Sequence, residues 1–341
     1  MTRSRLLFAA LALTLLAVTA CGGASDSTSG AASTDKGSTS LSLIGYSTPQ
    51  VVYDQIIPEF QKTGSGEGVG FKSSFGASGE QSRAVEAGLK ADVVTFSLEP
   101  DVTRLVDAGL VAKNWADTPS KGLVTTSVVS FIVRKGNPKH IQTWDDLLKP
   151  GVKVLTPNPF TSGAAKWNLL AAYGAKSDGG KNPQAGLAFL RELITKHVKV
   201  QDKSGRDALQ TFTSGTGDVL LSYEYEATTA QKKGEKLDYV TPADTIKIEN
   251  PIAVTEKAAP AAKKFVQFVL SKAGQEKFAD WGYRPVNRQV FDEHKAKFPE
   301  PAKLFTIRDL GGWKKVNDTM FDPEKGSVAK IEADAGVSTA S

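Results

Sequence analysis

Three short loops in this chain carry residues suited to holding a small oxyanion: Gly76-Ala77-Ser78-Gly79, Thr161-Ser162-Gly163-Ala164 and Ser204-Gly205-Arg206. The first two lie between a strand-like run and a helix-like one, and the third opens a helix. The first N–H groups of a helix lack intrahelical acceptors and sit at the positive end of its dipole, so such loops present donors to an anion. Taken singly, each loop reads first as an ordinary N-cap, because βα loops commonly use Ser and Gly. Their recurrence brings the anion reading into contention.

Other chemistry is sparse. His140, His197 and His294 have polar neighbours and no spacing that suits a metal or a nucleophile's base, so surface positions are expected. Gly76-Ala77-Ser78-Gly79 misses a nucleophile elbow, since Glu80 stands where G-x-S-x-G needs its second glycine. Gly180-Lys181 misses a P-loop, since Gly174 is one residue too far upstream and Asn182 replaces Ser or Thr. Asp145-Asp146, ahead of Leu147-Leu148, is expected to cap a short helix. The chain is not read as an enzyme, and no metal or cofactor is expected.

The elements that position these loops alternate. Strands are expected over 41–46, 70–74, 92–96, 124–133, 152–155 and 218–221. Helices are expected over 50–61, 79–89, 164–173, 183–196, 206–213, 260–270 and 275–280. Such βα alternation implies an α/β fold with largely parallel sheets. The body of the chain exceeds the size at which one core usually keeps growing, so two lobes are expected. No linker divides it into consecutive domains, and residues 127–134 and 248–254 are the extended segments expected to cross between interleaved lobes.

Composition excludes disorder throughout, a coiled coil and a disulfide scaffold: 40% of residues are hydrophobic and there is one cysteine. A net charge of +5 without a basic block gives no support for nucleic-acid binding. The cysteine is informative by position. Arg3 and Arg5 precede an apolar run over 6–17 that has the length of a signal-peptide core and is too short to span a membrane. The run ends in Val18-Thr19-Ala20-Cys21-Gly22, which resembles a bacterial lipobox. This implies export, a lipid on Cys21 and anchoring to the outer face of the cytoplasmic membrane. Loss of the two arginines takes the charge from +5 to +3. Residues 21–40 are rich in Gly, Ser and Thr and are expected to be a flexible tether, with folding beginning near Leu41.

Several strings together resemble the bacterial sulfate-binding proteins, the solute-binding components of sulfate and thiosulfate ABC importers. They include Ala91-Asp92-Val93-Val94-Thr95, Val133-Arg134-Lys135-Gly136-Asn137-Pro138-Lys139, Thr156-Pro157-Asn158-Pro159 with Thr161-Ser162-Gly163, Gly217-Asp218-Val219-Leu220, Tyr283-Arg284-Pro285 and Gly311-Gly312-Trp313. The similarity runs from about Leu43 to Trp313. It implies a two-lobed fold of the type 2 periplasmic binding proteins, with interleaved lobes joined by a hinge and the ligand in the cleft. The expected lobes are 41–126 with 252–335, and 127–251.

Carried over position by position, the resemblance implies sulfate ligands at Ser78, Ser162, Gly163, Ala164, Gly205 and Tyr223. The donors are mostly backbone N–H groups, with a hydroxyl added by Ser162. Tyr223 replaces a tryptophan common in relatives, and Ser47 replaces an aspartate near the ligand of enteric relatives. Sulfate is a dianion without a proton, whereas phosphate keeps one through part of the neutral range and needs an acceptor for it. A site of donors alone therefore favours sulfate, provided no other carboxylate reaches it. The implied partners are sulfate or thiosulfate, the permease subunits of an importer and, through Cys21, the membrane; the protein is expected to be a monomer. Trp167 is expected to pack in the core rather than touch the ligand. Competing readings are the same role for thiosulfate, molybdate or phosphate, a secreted hydrolase using Ser78 or Ser162, and a structural adhesin.

Overall fold

The computed structural model describes residues 33–34 and 39–340. The expected signal peptide, Cys21 and most of the expected tether lie outside the described residues. One part of that tether departs from expectation: Ser33–Thr34 forms a two-residue strand antiparallel to Phe71 and Lys72. Backbone groups on an open sheet edge pair with any extended neighbour, so polar composition does not forbid it.

Two strands bury apolar residues on both faces, Thr39–Tyr46 and Val219–Tyr223, which explains their near-continuous apolar runs. Within Thr39–Tyr46, Leu41 and Leu43 join the main core while Ile44 faces a second cluster with Val94, Phe96, Val102 and Leu105. Within Val219–Tyr223, Val219, Leu221 and Tyr223 face the main core, and Leu220 faces a third cluster with Ile132, Ala208 and Phe212. Both follow from the period-two alternation of a strand.

The strands hydrogen-bond in the order Ser33–Thr34, Val69–Gly76, Thr39–Tyr46, Val93–Thr95, Asp244–Val254, Leu123–Arg134, Val219–Tyr223, Val154–Leu155, Val198–Val200. The flanks contain parallel pairs: Thr39–Tyr46 with Val69–Gly76 and Val93–Thr95, and Val154–Leu155 with Val198–Val200 and Val219–Tyr223. The centre differs from the expected parallel pairing. Asp244–Val254 runs antiparallel to both Val93–Thr95 and Leu123–Arg134, and Leu123–Arg134 runs antiparallel to Val219–Tyr223. Connectivity is the reason: Leu123–Arg134 carries the chain from the first flank into the second and Asp244–Val254 returns it, so the two run opposite ways.

A third span crosses the waist. Lys303–Phe305 pairs in parallel with Asp244, Thr245 and Ile246, and the chain beyond it packs on the second flank. Trp313 meets Trp167 edge-on at 4.8 Å, Lys166 Nζ donates to Asn317 Oδ1 at 3.1 Å, and Gln201 Nε2 donates to Glu332 at 2.6 Å. These contacts place the C-terminal segment with the second flank, and not with the first as expected for residues up to 335. Its apolar residues Val316, Met320, Phe321 and Ile331 join the main core there.

Candidate anion-binding site

Five helices begin beside one another where the two flanks meet: Ser78–Glu86, Glu99–Asp107, Gly163–Lys176, Gly205–Thr213 and Glu224–Lys232. Contacts link their first turns in sequence. Ser78 Oγ donates to Asp101 Oδ2 at 2.6 Å, and Gly79 N donates to Thr161 O at 3.3 Å. Gly163 packs so closely on Ser97 and Leu98 that a Cβ there would lie 2.8 Å from each side chain. A Cβ on Gly205 would lie 3.3 Å from Glu226 Oε1, 3.4 Å from Thr48 Cγ2 and 3.7 Å from Ala164 Cβ. The positive ends of several helix dipoles thus share one buried region.

All seven residues expected at the site are buried there. Gly163 and Ala164 are the first two residues of their helix, which Ser162 does not cap, so their N–H groups have no intrahelical acceptor. The Ser162 N–H donates to Asn158 O at 2.9 Å, which leaves the hydroxyl as its available donor. Ser78 Oγ also accepts from Ser97 N at 2.9 Å. While its proton is held by Asp101, Ser78 can offer an anion only its backbone N–H. The third helix is capped conventionally: Ser204 Oγ accepts from Asp207 N at 3.2 Å, with Gly205 at the first helical position. Ser47 Oγ accepts from Arg206 N at 3.4 Å, and the Ser47 carbonyl accepts from the Arg206 guanidinium. Tyr223 is fully buried, with its hydroxyl 2.5 Å from Ser97 Oγ. Burial raises the Tyr223 phenol well above its ordinary range, keeping it neutral and able to donate.

Sequence reasoning did not single out Ser97, Thr48, Asp101 or Glu226. Ser97 is a hub: its carbonyl accepts from Trp167 Nε1 at 2.9 Å and from Asn250 Nδ2 at 3.3 Å. Trp167 is fully buried and spends its indole N–H on that carbonyl, as its packing role implies. Thr48 Oγ1 lies 2.8 Å from the Tyr225 hydroxyl, which donates to Tyr46 at 3.1 Å. The usable signal for Ser97 was its place just after the strand Val93–Thr95, the same strand-to-helix position as Ser78. Among the histidines, His197 is buried rather than exposed, with Nδ1 3.3 Å from Val152 O. The chain turns there from helix into the strand Val198–Val200 and carries the ring inward.

Two groups withdrawn from water, the half-buried Lys166 and the buried Glu226, alter the electrostatics. Burial lowers Lys166 to about 8 against the opposing pull of Asp101, and its Nζ donates to Asn317 Oδ1 at 3.1 Å. Burial raises Glu226 to about 8, with Arg206 opposing. Between the ordinary carboxyl range and about 8 the folded chain therefore holds more protons than the unfolded one. The contribution of Glu226 to stability declines as pH rises through that window. Its presence also means that the condition attached to sulfate selectivity, that no other carboxylate reaches the site, is not met by composition alone.

The model of the bacterial extracellular solute-binding protein family matches residues 41–284. The sulfate-binding protein of Synechococcus elongatus is 41% identical over 94% of this chain and 93% of its own length. The thiosulfate-binding protein of Escherichia coli is 36% identical over 83% of this chain and 88% of its own. Among solved structures, the sulfate-binding protein SubI from Mycobacterium tuberculosis is 49% identical, with a TM-score of 0.81, covering 83% of this chain and all of that one. The fold is the two-lobed α/β architecture of the type 2 periplasmic binding proteins. The extent of these matches and the crossing of the chain between its flanks lead to one statement: the chain belongs to the bacterial extracellular solute-binding proteins, in the group of those named for sulfate and thiosulfate.

Proposed function

We propose that the protein captures sulfate outside the cytoplasm and delivers it to the permease of an ABC importer, holding the anion by neutral donors in the cleft between its lobes. The observation that carries this reading is the convergence of uncapped and glycine-bearing helix starts from both flanks on one buried region. Gly163, Ala164 and Gly205 would donate N–H groups, Ser162 a hydroxyl and Tyr223 a phenol. Ser78 would complete the set through its backbone, with Ser47 at the edge. The lobes follow the chain as 41–126 with 252 to about 302, and 127–251 with the remainder. Sulfate would close them by a hinge motion at the long central strands. The protein acts as a binding component without turnover of its own.

Calorimetry with sulfate, thiosulfate, molybdate and phosphate tests the reading. Sulfate is expected to bind most tightly, and a preference for any other of the four would reassign the ligand. Ser162→Ala removes one charge-assisted bond of about 1.5–3 kcal/mol and is expected to weaken sulfate binding about 10- to 150-fold. Unchanged affinity would remove Ser162 from the site.

For localisation, the proposal is a lipid anchor on Cys21 and a monomer at the outer face of the membrane. Cys21→Ser should move the protein from the membrane fraction to the soluble one. A variant that stays with the membrane would end the lipobox reading.

A further inference from the structure

Glu226 is an odd residue to find beside a site for a dianion. It occupies the third position of the helix Glu224–Lys232, is 3% exposed, and neither of its carboxyl oxygens has a hydrogen-bond partner among the described residues. Oε1 comes within 3.3 Å of the Cβ position of Gly205, at a point also approached by Thr48 and Ala164. A cavity of about 100 Å³ lies alongside, lined by Thr48, Arg206, Tyr225, Glu226 and Tyr283 among others. An unpartnered buried carboxylate costs far more than an unpartnered carboxylic acid, and a second negative charge next to sulfate would add repulsion.

The surroundings offer limited relief. The cation facing Glu226 from helix Gly205–Thr213 is Arg206, whose guanidinium is engaged by the Ser47 carbonyl and shared electrostatically with Asp207 and Asp54. Lys233 lines the same cavity from the end of the Glu224–Lys232 helix. The other titratable neighbours are the phenols of Tyr46, Tyr223, Tyr225 and Tyr283, all kept neutral by burial.

Resting on the sulfate reading above, we propose that Glu226 is a specificity-determining residue that carries a proton in the sulfate-bound protein, serving as a donor to the anion site, and that its ionised form is the state able to accept the proton of a hydrogen phosphate. Above the pH at which free Glu226 ionises, sulfate binding must then return a proton to the carboxylate, so binding takes up hydrogen ion from solution. Below it the proton is already in place and binding is pH-independent. Ionisation exchanges a donor for an acceptor, which is the change that separates a site for a fully deprotonated tetrahedral anion from one for a partly protonated anion.

The test is calorimetry of the full-length protein with sulfate and with inorganic phosphate, at pH 6.5, 8 and 9.5, in pairs of buffers that differ in ionisation enthalpy. For the wild type, proton uptake per sulfate should rise from near zero at pH 6.5 towards one at pH 9.5. Sulfate affinity should fall by about tenfold per pH unit at the alkaline end. Glu226→Gln, which keeps a donor and cannot ionise, should bind sulfate with the same affinity at all three pH values, without proton uptake. Any phosphate binding that the wild type gains at pH 9.5 should be absent from it. The proposal is overturned if wild-type affinity is flat with no proton uptake, a result that needs no variant. It is also overturned if Glu226→Gln keeps the wild-type profile, which would move the titration to another group such as Lys166. Failure of the wild type to bind sulfate at pH 6.5 would instead remove the sulfate reading, and this proposal with it.

Discussion

Gly163→Ala is expected to weaken sulfate binding about 5- to 150-fold, the equivalent of the roughly 1–3 kcal/mol that overpacking typically costs. The added methyl would lie 2.8 Å from the Cβ of Ser97 and 2.8 Å from the Cγ of Leu98, residues that belong to the opposite flank. Neither is the free end of a long side chain that could swing away. The strain therefore falls on the approach of the flanks and leaves each flank's own core untouched. Calorimetry should show the loss, while the melting temperature without sulfate falls by only a few degrees. Gly205→Ala is the control, since its nearest contacts are 3.3 and 3.4 Å and need give only a few tenths of an ångström. Equal losses in the two variants would show that crowding between the flanks is not the cause. Gly163→Pro should be worse than Gly163→Ala, because it also deletes an N–H at the helix start.

The second large effect is on stability. Arg284 and Glu224 form a two-point ion pair, Nε to Oε2 at 2.8 Å and Nη2 to Oε1 at 3.1 Å, with both side chains almost wholly buried. The pair joins the strand Arg284–Pro285 to the start of the helix that carries Glu226. Glu224→Gln should cost about 3–5 kcal/mol in urea unfolding, because a guanidinium cannot shed its charge when its partner is lost. Arg284→Met should cost less near neutral pH, since burial already raises the Glu224 carboxyl and it can take up a proton when left alone. The deficit of Arg284→Met should grow as pH rises. A loss below about 1 kcal/mol for Glu224→Gln would mean that water reaches the pair and screens it.

The parts of the molecule that could be read from sequence are those whose signals are local. Gly and Ser ahead of an apolar-periodic run disclosed the helix starts at Ser78, Gly163 and Gly205, and apolar or β-branched runs disclosed the strands Thr39–Tyr46, Val69–Gly76, Val93–Thr95, Leu123–Arg134, Val154–Leu155 and Val219–Tyr223. The helices Glu99–Asp107 and Glu224–Lys232 were not legible. Their N-cap residues are Leu98 and Tyr223, which are not capping types, and the first buries only Asp101, Val102 and Leu105. With those helices went Asp101, which takes the Ser78 proton, and Glu226, whose burial depends on neighbours distant in sequence. The antiparallel centre was hidden for a related reason: a strand's direction relative to its neighbour is set by the route between them, and no residue pattern records it.

That route has one more outcome, for how the body can bend. Leu123–Arg134, Asp244–Val254 and the chain entering Lys303–Phe305 make three separate straps across the middle. A single strap would leave the halves free to swivel about it. With three, swivelling must stretch at least one of them, whereas tilting like a book cover strains none. On the proposed function, the permease of an importer would then meet essentially two silhouettes, spread and shut, and could tell a loaded carrier from an empty one by outline alone.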